Sequence, residues 1–369
     1  MKERVEKIFR HLESPVDAIL LANSVDPHLD QCFFYLFGVP AGLFEGSVAI
    51  AHPDGELDVL SSPLEAETAH QAAKHDPHVK VHVFANRDET AELVKKLVGS
   101  ASTLGLNYRE LTYEGFLAMA KTFPTAKWAD ASSAIRKARV TKDAKEIELL
   151  RKAAEIGSTV ARKIPTLLKT GITELELAAE MEYAMNREGA NGRSFSTIVG
   201  FGAHSAEPHY SPADTRLKPG DSIVCDFGAY YRRYASDITR SFHFGPRDDE
   251  MKAVHDTVMA AQEAALAAIR PGVPAKEVHL AAERVIDASK WKGRLIHGVG
   301  HSIGLVVHDG WGYAAKVEDP LEEGMAITVE PGIYLPGKGG VRIEDDVVVR
   351  KNGFEFLTTA PREYLEVSA

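Results

Sequence analysis

The chain has 369 residues, a formal net charge of −10 at pH 7 and two cysteines, Cys32 and Cys225. A chain of this length is too long for one ordinary hydrophobic core, so two domains are expected. The acidic balance disfavours nucleic acid and anionic membranes as partners. Two cysteines are typical of a reducing compartment. The sequence shows neither a signal segment nor an apolar run of about 18 residues, which predicts a cytoplasmic protein without a membrane span.

The first third of the chain alternates between strand and helix patterns. Strands are predicted over 17–24, 32–39, 47–62 (a hairpin that turns at Pro53-Asp54-Gly55), 79–85 and 103–108, and helices over 1–12, 64–75, 88–99 and 113–123. This alternation predicts an α/β domain over residues 1–135. Its most apolar run, Phe33–Phe37, is interpreted as a buried strand, with a contact surface for a second copy of the chain as the alternative.

The pattern changes at residue 136, where the second domain is expected to begin and to continue to residue 369. Helices are predicted over 136–168, 174–189, 249–270 and 274–290, and the chain between and after them is rich in strands and turns. Each pair of helices is followed by a pair of strands that carries acidic residues. The sequence contains no short repeat, so this recurrence of helices followed by an acid-bearing strand pair is only a loose echo within the domain.

Five side chains of the second domain are candidate metal ligands. They are Asp226, Asp237, His301, Glu330 and Glu344. Four carboxylates that converge in a dry cleft would repel one another and take up protons unless cations bind between them. One imidazole with four carboxylates and no thiolate suits Mn²⁺, Co²⁺ or Fe²⁺ and permits Zn²⁺. A water bridging two such ions, about 3.5–4 Å apart, loses its proton near neutral pH and can attack a carbonyl carbon.

The two aspartates lie on segments that fit a pair of antiparallel strands. An aspartate between the apolar residues of IVCDFG needs a partner or a metal, because an isolated buried charge is costly. Asp237 shares a strand face with Thr239, which could support a ligating carboxylate. The alternative is that Asp226 and Asp237 cap turns or lie exposed at strand edges.

His301 and the two glutamates lie in segments rich in glycine. His297 and His308 flank His301, and the intervening glycines would allow the backbone to approach a crowded site closely. Glu330 and Glu344 lie on a second predicted strand pair, where Arg342 shares a face with Glu344. Arg342 could either clamp a ligand or form a surface pair with Asp346, and the sequence leaves both open.

These segments, in this order, resemble the pita-bread metallopeptidases, the family of methionine aminopeptidase, aminopeptidase P and prolidase. The resemblance covers residues 136–369 with specific motifs. It extends more weakly to residues 1–135, because the proline-specific branch carries an N-terminal α/β domain of this size and a stretch similar to Tyr35–Gly38. It implies an α+β fold, with a C-terminal pita-bread domain of the creatinase and aminopeptidase type and a smaller creatinase-like N-terminal domain.

The resemblance also implies a role for each metal ligand. Asp226 would chelate one cation, Asp237 and Glu344 would bridge both, and His301 and Glu330 would complete the second.

Four side chains acquire catalytic roles by the same resemblance. His209, in the PHYSP segment, would lie near the leaving side of the scissile bond. His308 would donate a hydrogen bond to the substrate carbonyl and stabilise the developing oxyanion. Glu330 would shuttle a proton to the departing nitrogen, and His297 matches a further active-site histidine.

The activity that the resemblance implies is hydrolysis of Xaa-Pro bonds in short peptides, by attack of a hydroxide that bridges two metal ions in a cytoplasmic homodimer. A bond before proline is a tertiary amide with a fixed ring, which many peptidases cannot accommodate. The alternatives are a pita-bread module that binds peptides or proteins without catalysis, and a creatinase-like C–N hydrolase that uses no metal.

The sequence departs from the family pattern after His308. His-Glu-x-Pro is usual there, whereas this chain reads His308-Asp309-Gly310-Trp311. Prolidases often place an arginine just beyond to hold the carboxylate of a dipeptide, where this chain has Gly312. The sequence therefore does not imply strict dipeptide specificity and leaves dipeptides and longer Xaa-Pro peptides both open as substrates. Trp311 could either line the proline pocket or pack in the loop.

Overall fold

The computed structural model describes residues 1–368, except for the side chain of Arg87. The chain forms two compact units, Met1–Arg139 and Val140–Ala369. The boundary expected after residue 135 falls within a helix that covers Ser132–Val140. Both cysteines are buried thiols. No helix in the described part of the chain has the length and apolarity needed to cross a membrane.

The first unit is an α/β domain, as the sequence predicts. Its elements are α1 (Lys2–Arg10), β1 (Ala18–Ala22), α2 (Gln31–Phe37), β2 (Val48–Ala51), β3 (Leu57–Ser61), α3 (Ala66–Ala73), β4 (Val79–Val83), α4 (Arg87–Val98), β5 (Thr103–Leu106), α5 (Tyr113–Thr122), β6 (Lys127–Asp130) and α6 (Ser132–Val140). The strands form a six-stranded sheet in the order β4-β3-β2-β1-β5-β6. The predicted hairpin is confirmed, because β2 and β3 pair in antiparallel register and Gly55 adopts a positive φ of 90° at the turn.

The prediction of a strand over residues 32–39 is wrong, because this segment is helix α2. Asp30 caps the helix by accepting the N–H of Cys32, and Gly38 ends it with a φ of 69°. Six consecutive side chains, Cys32 to Phe37, are buried. A short run that is apolar all round carries no periodicity that separates a buried helix from a buried strand. Because these side chains are buried, they do not form an exposed contact surface for a second copy of the chain.

The single helix predicted over residues 136–168 is also wrong. The structure divides it into α6 and α7 (Ala144–Leu167). Asp143 starts α7 with a capping box, in which its side chain accepts the N–H of Glu146 while the Glu146 carboxylate accepts the N–H of Asp143. Such a cap provides acceptors for backbone N–H groups that have no partner within the helix where a new helix begins.

The second unit contains two helix pairs and the sheets that they cover. After α7 its elements are α8 (Glu174–Arg187), β7 (Gly192–Arg193), β8 (Ile198–Phe201), β9 (Ser222–Phe227), β10 (Ala229–Tyr231), β11 (Tyr234–Ala235), β12 (Ile238–Phe244), α9 (Asp249–Ala268), α10 (Ala275–Asp287), β13 (Gly300–His301), β14 (Gly312–Tyr313), β15 (Ala326–Val329), β16 (Gly332–Leu335), β17 (Gly339–Arg342), β18 (Asp345–Arg350), β19 (Gly353–Phe356) and β20 (Leu365–Val367). One sheet has the order β20-β12-β9-β8, another has the order β15-β18-β19, and β16 pairs with β17.

Each helix pair of this unit shares an apolar core with the strands that follow it. Apolar residues of α7 and α8 pack with those of β8, β9 and β12. Apolar residues of α9 and α10 pack with those of β15 to β18. The unit therefore has two halves, each with a helix pair and its strands, and the candidate acidic residues lie on or beside strands of both halves.

We expect the core around α2 to be essential for the stability of the first unit. Phe33 is fully buried, and its ring packs against those of Phe34 and Phe44 at centroid distances of 5.2 and 5.6 Å. Phe33→Ala should cost about 3–5 kcal/mol, because it leaves a cavity in a packed core. Amides of β1 and β2 that exchange through global opening of the unit should then exchange roughly a hundredfold faster or more, measured by hydrogen exchange and mass spectrometry.

Leu117→Ala on α5 is the matched control, since Leu117 is 50% exposed. It should change the same exchange rates by no more than about two- to threefold. Equal effects of the two substitutions would contradict the assignment of the core.

Candidate metal centre

The five candidate ligands lie at or next to strands of the second unit. Asp226 is on β9, opposite Thr239 of β12, and Asp237 immediately precedes β12. His301 lies on β13. Glu330 and Glu344 occupy the breaks between β15 and β16 and between β17 and β18.

Several of the candidate ligands lie close together around His301. Its Nε2 lies 3.5 Å from Oδ2 of Asp237 and 3.7 Å from Oε1 of Glu330. Asp237, His301 and Glu344 each offer one ligand atom, and these atoms all lie within 4.8 Å of one another. Asp226 belongs to the same cluster, because its charge acts on both Asp237 and Glu344. Residues that are distant in the chain therefore form one site.

Burial and mutual repulsion make the carboxylates of this cluster hard to ionise together. Burial raises the pKa of Asp237 well above its usual range, and the charges of Asp226, Asp346 and Glu330 raise it further. Burial also raises the pKa of Glu344 strongly, with Asp237 as the next cause. The pKa of Glu330 is raised by burial too. Such a cluster favours positive charge at its centre.

Two buried carboxylate oxygens of the cluster have no hydrogen-bond donor among the described residues, as expected of ligands for a cation. Oδ1 of Asp226 and Oδ1 of Asp237 are buried and accept no hydrogen bond from the residues that the structure describes. Buried carboxylate oxygens without a donor are rare in folded proteins. Hard oxygen donors beside one imidazole are the ligand types that divalent cations take up. The residues present therefore fit divalent cations.

Arg342 is a clamp on the cluster and not a surface residue. It is 2% exposed, and its Nη2 donates to Oδ2 of Asp226 at 2.5 Å. Its Nε donates to Oγ1 of Thr239, and that hydroxyl in turn donates to Oε2 of Glu344 at 2.6 Å. Asp346, the other partner considered from the sequence, instead accepts the backbone N–H of Asp237. The structure thus decides between the two roles left open for Arg342, and Thr239 has the supporting position expected for it.

The three other candidate histidines line the cavity above this cluster. The cavity has a volume of about 310 Å³, and its lining includes His209, His297 and His308 together with Asp226 and Glu330. The rings of His301 and His308 have centroids 4.2 Å apart. Burial, followed by the charge of His301, lowers the pKa of His308. All four histidines of the sequence prediction therefore lie at one cavity.

His297 is held by a tyrosine that the sequence did not single out. Its Nδ1 lies 2.7 Å from the carbonyl of Gly298, which can only accept, so Nδ1 carries the proton and Nε2 accepts from Oη of Tyr334 at 2.9 Å. Burial lowers the pKa of His297 to about 4, which keeps the ring neutral. Tyr334 also accepts from Nη1 of Arg342 at 2.8 Å. A tyrosine within an apolar strand carries no sequence signal that would have revealed this link.

The loop after His308 packs Trp311 away from the cavity. Trp311 packs against the apolar core of the second half, whereas Gly312 and Ala314 line the cavity. Of the two roles considered for Trp311, the structure therefore favours packing.

Comparison with known proteins places both units in established families. Residues 148–351 match the metallopeptidase family M24, and residues 4–141 match the creatinase/prolidase N-terminal domain. An Xaa-Pro dipeptidase of Pyrococcus furiosus is 34% identical over 366 residues, which cover 99% of this chain and 100% of the relative.

Solved structures agree with these matches. The X-Pro aminopeptidase of Thermotoga maritima superposes with a TM-score of 0.90 at 33% identity, covering 99% of this chain and 100% of that one. The Xaa-Pro dipeptidase of Bacillus anthracis superposes with a TM-score of 0.89 at 32% identity, covering 99% and 98%. With matches over both units and essentially the full length, the chain belongs to the metallopeptidase family M24, in the form that carries a creatinase/prolidase N-terminal domain.

Proposed function

We propose that the chain is a dinuclear metal-dependent peptidase that hydrolyses Xaa-Pro bonds in short peptides. The observation that carries this proposal is the buried cluster of carboxylates with two oxygens that lack donors, at the base of a cavity lined by histidines. The residues that would hold the cations are Asp226, Asp237, His301, Glu330 and Glu344. Mn²⁺ or Co²⁺ suits this ligand set best, and Zn²⁺ or Fe²⁺ is permitted.

Each side chain around the cavity has a position consistent with its expected role. Divalent cations bound in the cluster would polarise the scissile carbonyl and lower the pKa of a coordinated water. Of the two carboxylates that lie beside Nε2 of His301, that of Glu330 is more exposed than that of Asp237. Glu330 can therefore pass a proton between the cluster and the cavity. His308 lies beside His301, where its ring can donate a hydrogen bond to a substrate carbonyl.

The remaining histidines would act on the substrate from the cavity wall. His209 lines the cavity and is exposed, so it can approach the leaving side of the bond. His297 is fixed through Tyr334 and Arg342 to Asp226. This linkage would couple the position of the substrate to that of a candidate ligand.

The preference for proline is supported by the relatives, which are named as Xaa-Pro dipeptidases and an X-Pro aminopeptidase. The cavity wall bears on substrate length. Gly312 contributes no side chain there, and Arg342 is the single Lys or Arg among the lining residues that the structure describes. Arg342 already binds Asp226 and Tyr334, so the described lining offers no other Lys or Arg to hold a dipeptide's carboxylate. We therefore expect peptides longer than dipeptides to be accepted.

The cleavage assay that tests this proposal uses Xaa-Pro peptides of two to six residues, with Mn²⁺, Co²⁺ or Zn²⁺. Cleavage before proline should occur in dipeptides and in longer peptides, and exhaustive chelation should abolish it until metal is restored. Matched peptides with alanine in place of proline are the control. Cleavage that survives chelation would overturn the metal mechanism, and metal binding without turnover on any peptide would support the binding module instead.

Glu344→Gln should separate metal-free stability from metal-induced stabilisation. In chelator the variant should melt no lower than the original chain, because it removes one of several mutually repelling buried carboxylates. In Mn²⁺ the variant should gain less in Tm, because it has lost one ligand for the cations. Cations stabilise a protein by binding its folded state, and a hundredfold excess over Kd contributes about 2.7 kcal/mol.

The control for Glu344→Gln is Glu263→Gln on α9, the same chemical change at an exposed position. It should leave both melting temperatures unchanged. A full Mn²⁺-induced gain in the Glu344 variant would show that Glu344 is not a ligand.

The resemblance to the proline-specific branch extends the proposal to a homodimer. Sedimentation velocity at micromolar concentration should show a species of twice the chain mass of 40.3 kDa. A monomer under these conditions would contradict this part of the proposal.

A further inference from the structure

We propose that Glu174 is a positioning residue that holds the loop of residues 202–213 and thereby aims His209 at the substrate. This inference rests on the proposed function, in which His209 acts on the substrate. Glu174 is the first residue of α8, far from the candidate ligands in the chain, and it is fully buried. A buried carboxylate requires an explanation, since acidic side chains are almost never fully buried unless they are paired.

Among the described residues, four hydrogen bonds reach the Glu174 carboxylate, and all of them come from residues 201–213, the segment that carries His209. Its Oε1 accepts the N–H of Phe201 at 2.9 Å and lies 3.0 Å from Nδ1 of His204. Its Oε2 accepts the O–H of Tyr210 at 2.9 Å and the N–H of Ala213 at 3.1 Å. One side chain therefore fixes both ends of the loop and the residue next to His209.

The arrangement of donors requires two acceptor oxygens at this position. Each oxygen of Glu174 accepts one backbone N–H, from Phe201 or from Ala213. A glutamine at this position would place its NH₂ group against one of these N–H groups in either orientation of the amide. A buried donor would then lose its partner, which is costly. The first turn of α8 also favours negative charge, because the helix N-terminus carries partial positive charge.

Two aromatic rings near His209 in the chain are held by Glu174 and pack against each other. His204 and Tyr210 stack with centroids 4.4 Å apart and an interplanar angle of 26°. Burial, followed by the hydrogen bond to Glu174, raises the pKa of Tyr210 to about 12, so its O–H remains a donor. His209 is preceded by Pro208, whose ring fixes its own φ. The exposed His209 is thus flanked by a rigid residue on one side and an anchored residue on the other.

The other face of the loop is fixed to β17. Oγ of Ser205 accepts the N–H of Gly340 at 2.8 Å and donates to the carbonyl of Gly202 at 2.6 Å. A Cβ added at Gly340 would lie 2.3 Å from the carbonyl oxygen of Ser205, so the loop and the strand are in direct contact. Loss of Glu174 should therefore loosen the part of the loop near His209 more than the part near Ser205.

The start of α8 does not depend on the Glu174 carboxylate. Thr173 and Glu176 form a separate capping box at this helix. The N–H of Glu174 also donates to the carbonyl of Thr215 through the backbone. A substitution that keeps the size of the side chain should therefore leave the helix folded while it disturbs the loop.

Glu174→Gln is the direct test, with Glu180→Gln as the matched control at an exposed position of the same helix. Glu174→Gln should lower kcat on an Xaa-Pro peptide by about ten- to a hundredfold, since small misplacements of catalytic groups have effects of this size. Mn²⁺ affinity measured by calorimetry should remain unchanged. Tyr210→Phe removes one of the four hydrogen bonds and should give a smaller loss, and Glu180→Gln should give none.

A double-mutant cycle with His209→Ala separates positioning from general damage. If Glu174 acts through His209, adding Glu174→Gln to His209→Ala should lower kcat by less than about threefold further, because coupled residues are not additive. An equal loss in both backgrounds, or full activity of Glu174→Gln, would overturn the proposal.

Hydrogen exchange keeps the inference testable apart from the proposed function. Glu174→Gln should accelerate exchange in the peptide that contains residues 207–213, and Glu180→Gln should not. If the original chain lacks turnover, or if His209→Ala leaves kcat unchanged, the proposed role of His209 fails while exchange still reports whether Glu174 anchors the loop. Unchanged exchange in the Glu174 variant would overturn the anchoring itself.

Discussion

The repulsion among buried carboxylates is the constraint on which the rest of the second unit depends. Asp226, Asp237 and Glu344 are buried within range of one another's charge, and burial is the largest cause of the raised pKa of both Asp237 and Glu344. Flexible segments would separate such groups or turn them to solvent. They remain together because each lies on or beside a strand whose pairing is fixed by the sheet. Arg342 offsets part of the charge, and bound cations would offset the rest.

The supporting contacts come largely from residues next to the acids in sequence. Thr239, opposite Asp226 in the sheet, binds both Glu344 and Arg342. Arg240, the next residue, donates to the carbonyl of Glu344 and forms a buried ion pair with Asp345 at 2.7 Å. Successive residues of a strand point to opposite faces. Thr239 therefore supports the acids on one face of β12, while Arg240 on the opposite face links β12 to Asp345 of β18. The acids and their support are thus parts of one strand pattern.

The sequence predicted those features that depend on local pattern and missed those that depend on distant partners. Asp226 could be singled out because a charge between apolar strand residues needs an explanation, and the glycines around His301 indicated a crowded backbone. Helix α2 was misread because seven residues, nearly all buried, carry no usable periodicity. The partners of Glu174 lie 27 to 39 residues away, so nothing within its own segment showed that its carboxylate is buried.

The structure gives a physical reason for the unusual loop after His308. The Asp309 carboxylate accepts the N–H of Leu305, and a Cβ at Gly304 would lie 2.0 Å from Oδ2 of Asp309. This turn therefore closes tightly around the shorter acid. Trp311 packs into the core where the family usually has proline, and the next residue, Gly312, is left at the cavity wall. The three departures meet in this one turn: Asp309 closes it, Trp311 packs in the core, and Gly312 presents backbone at the cavity wall.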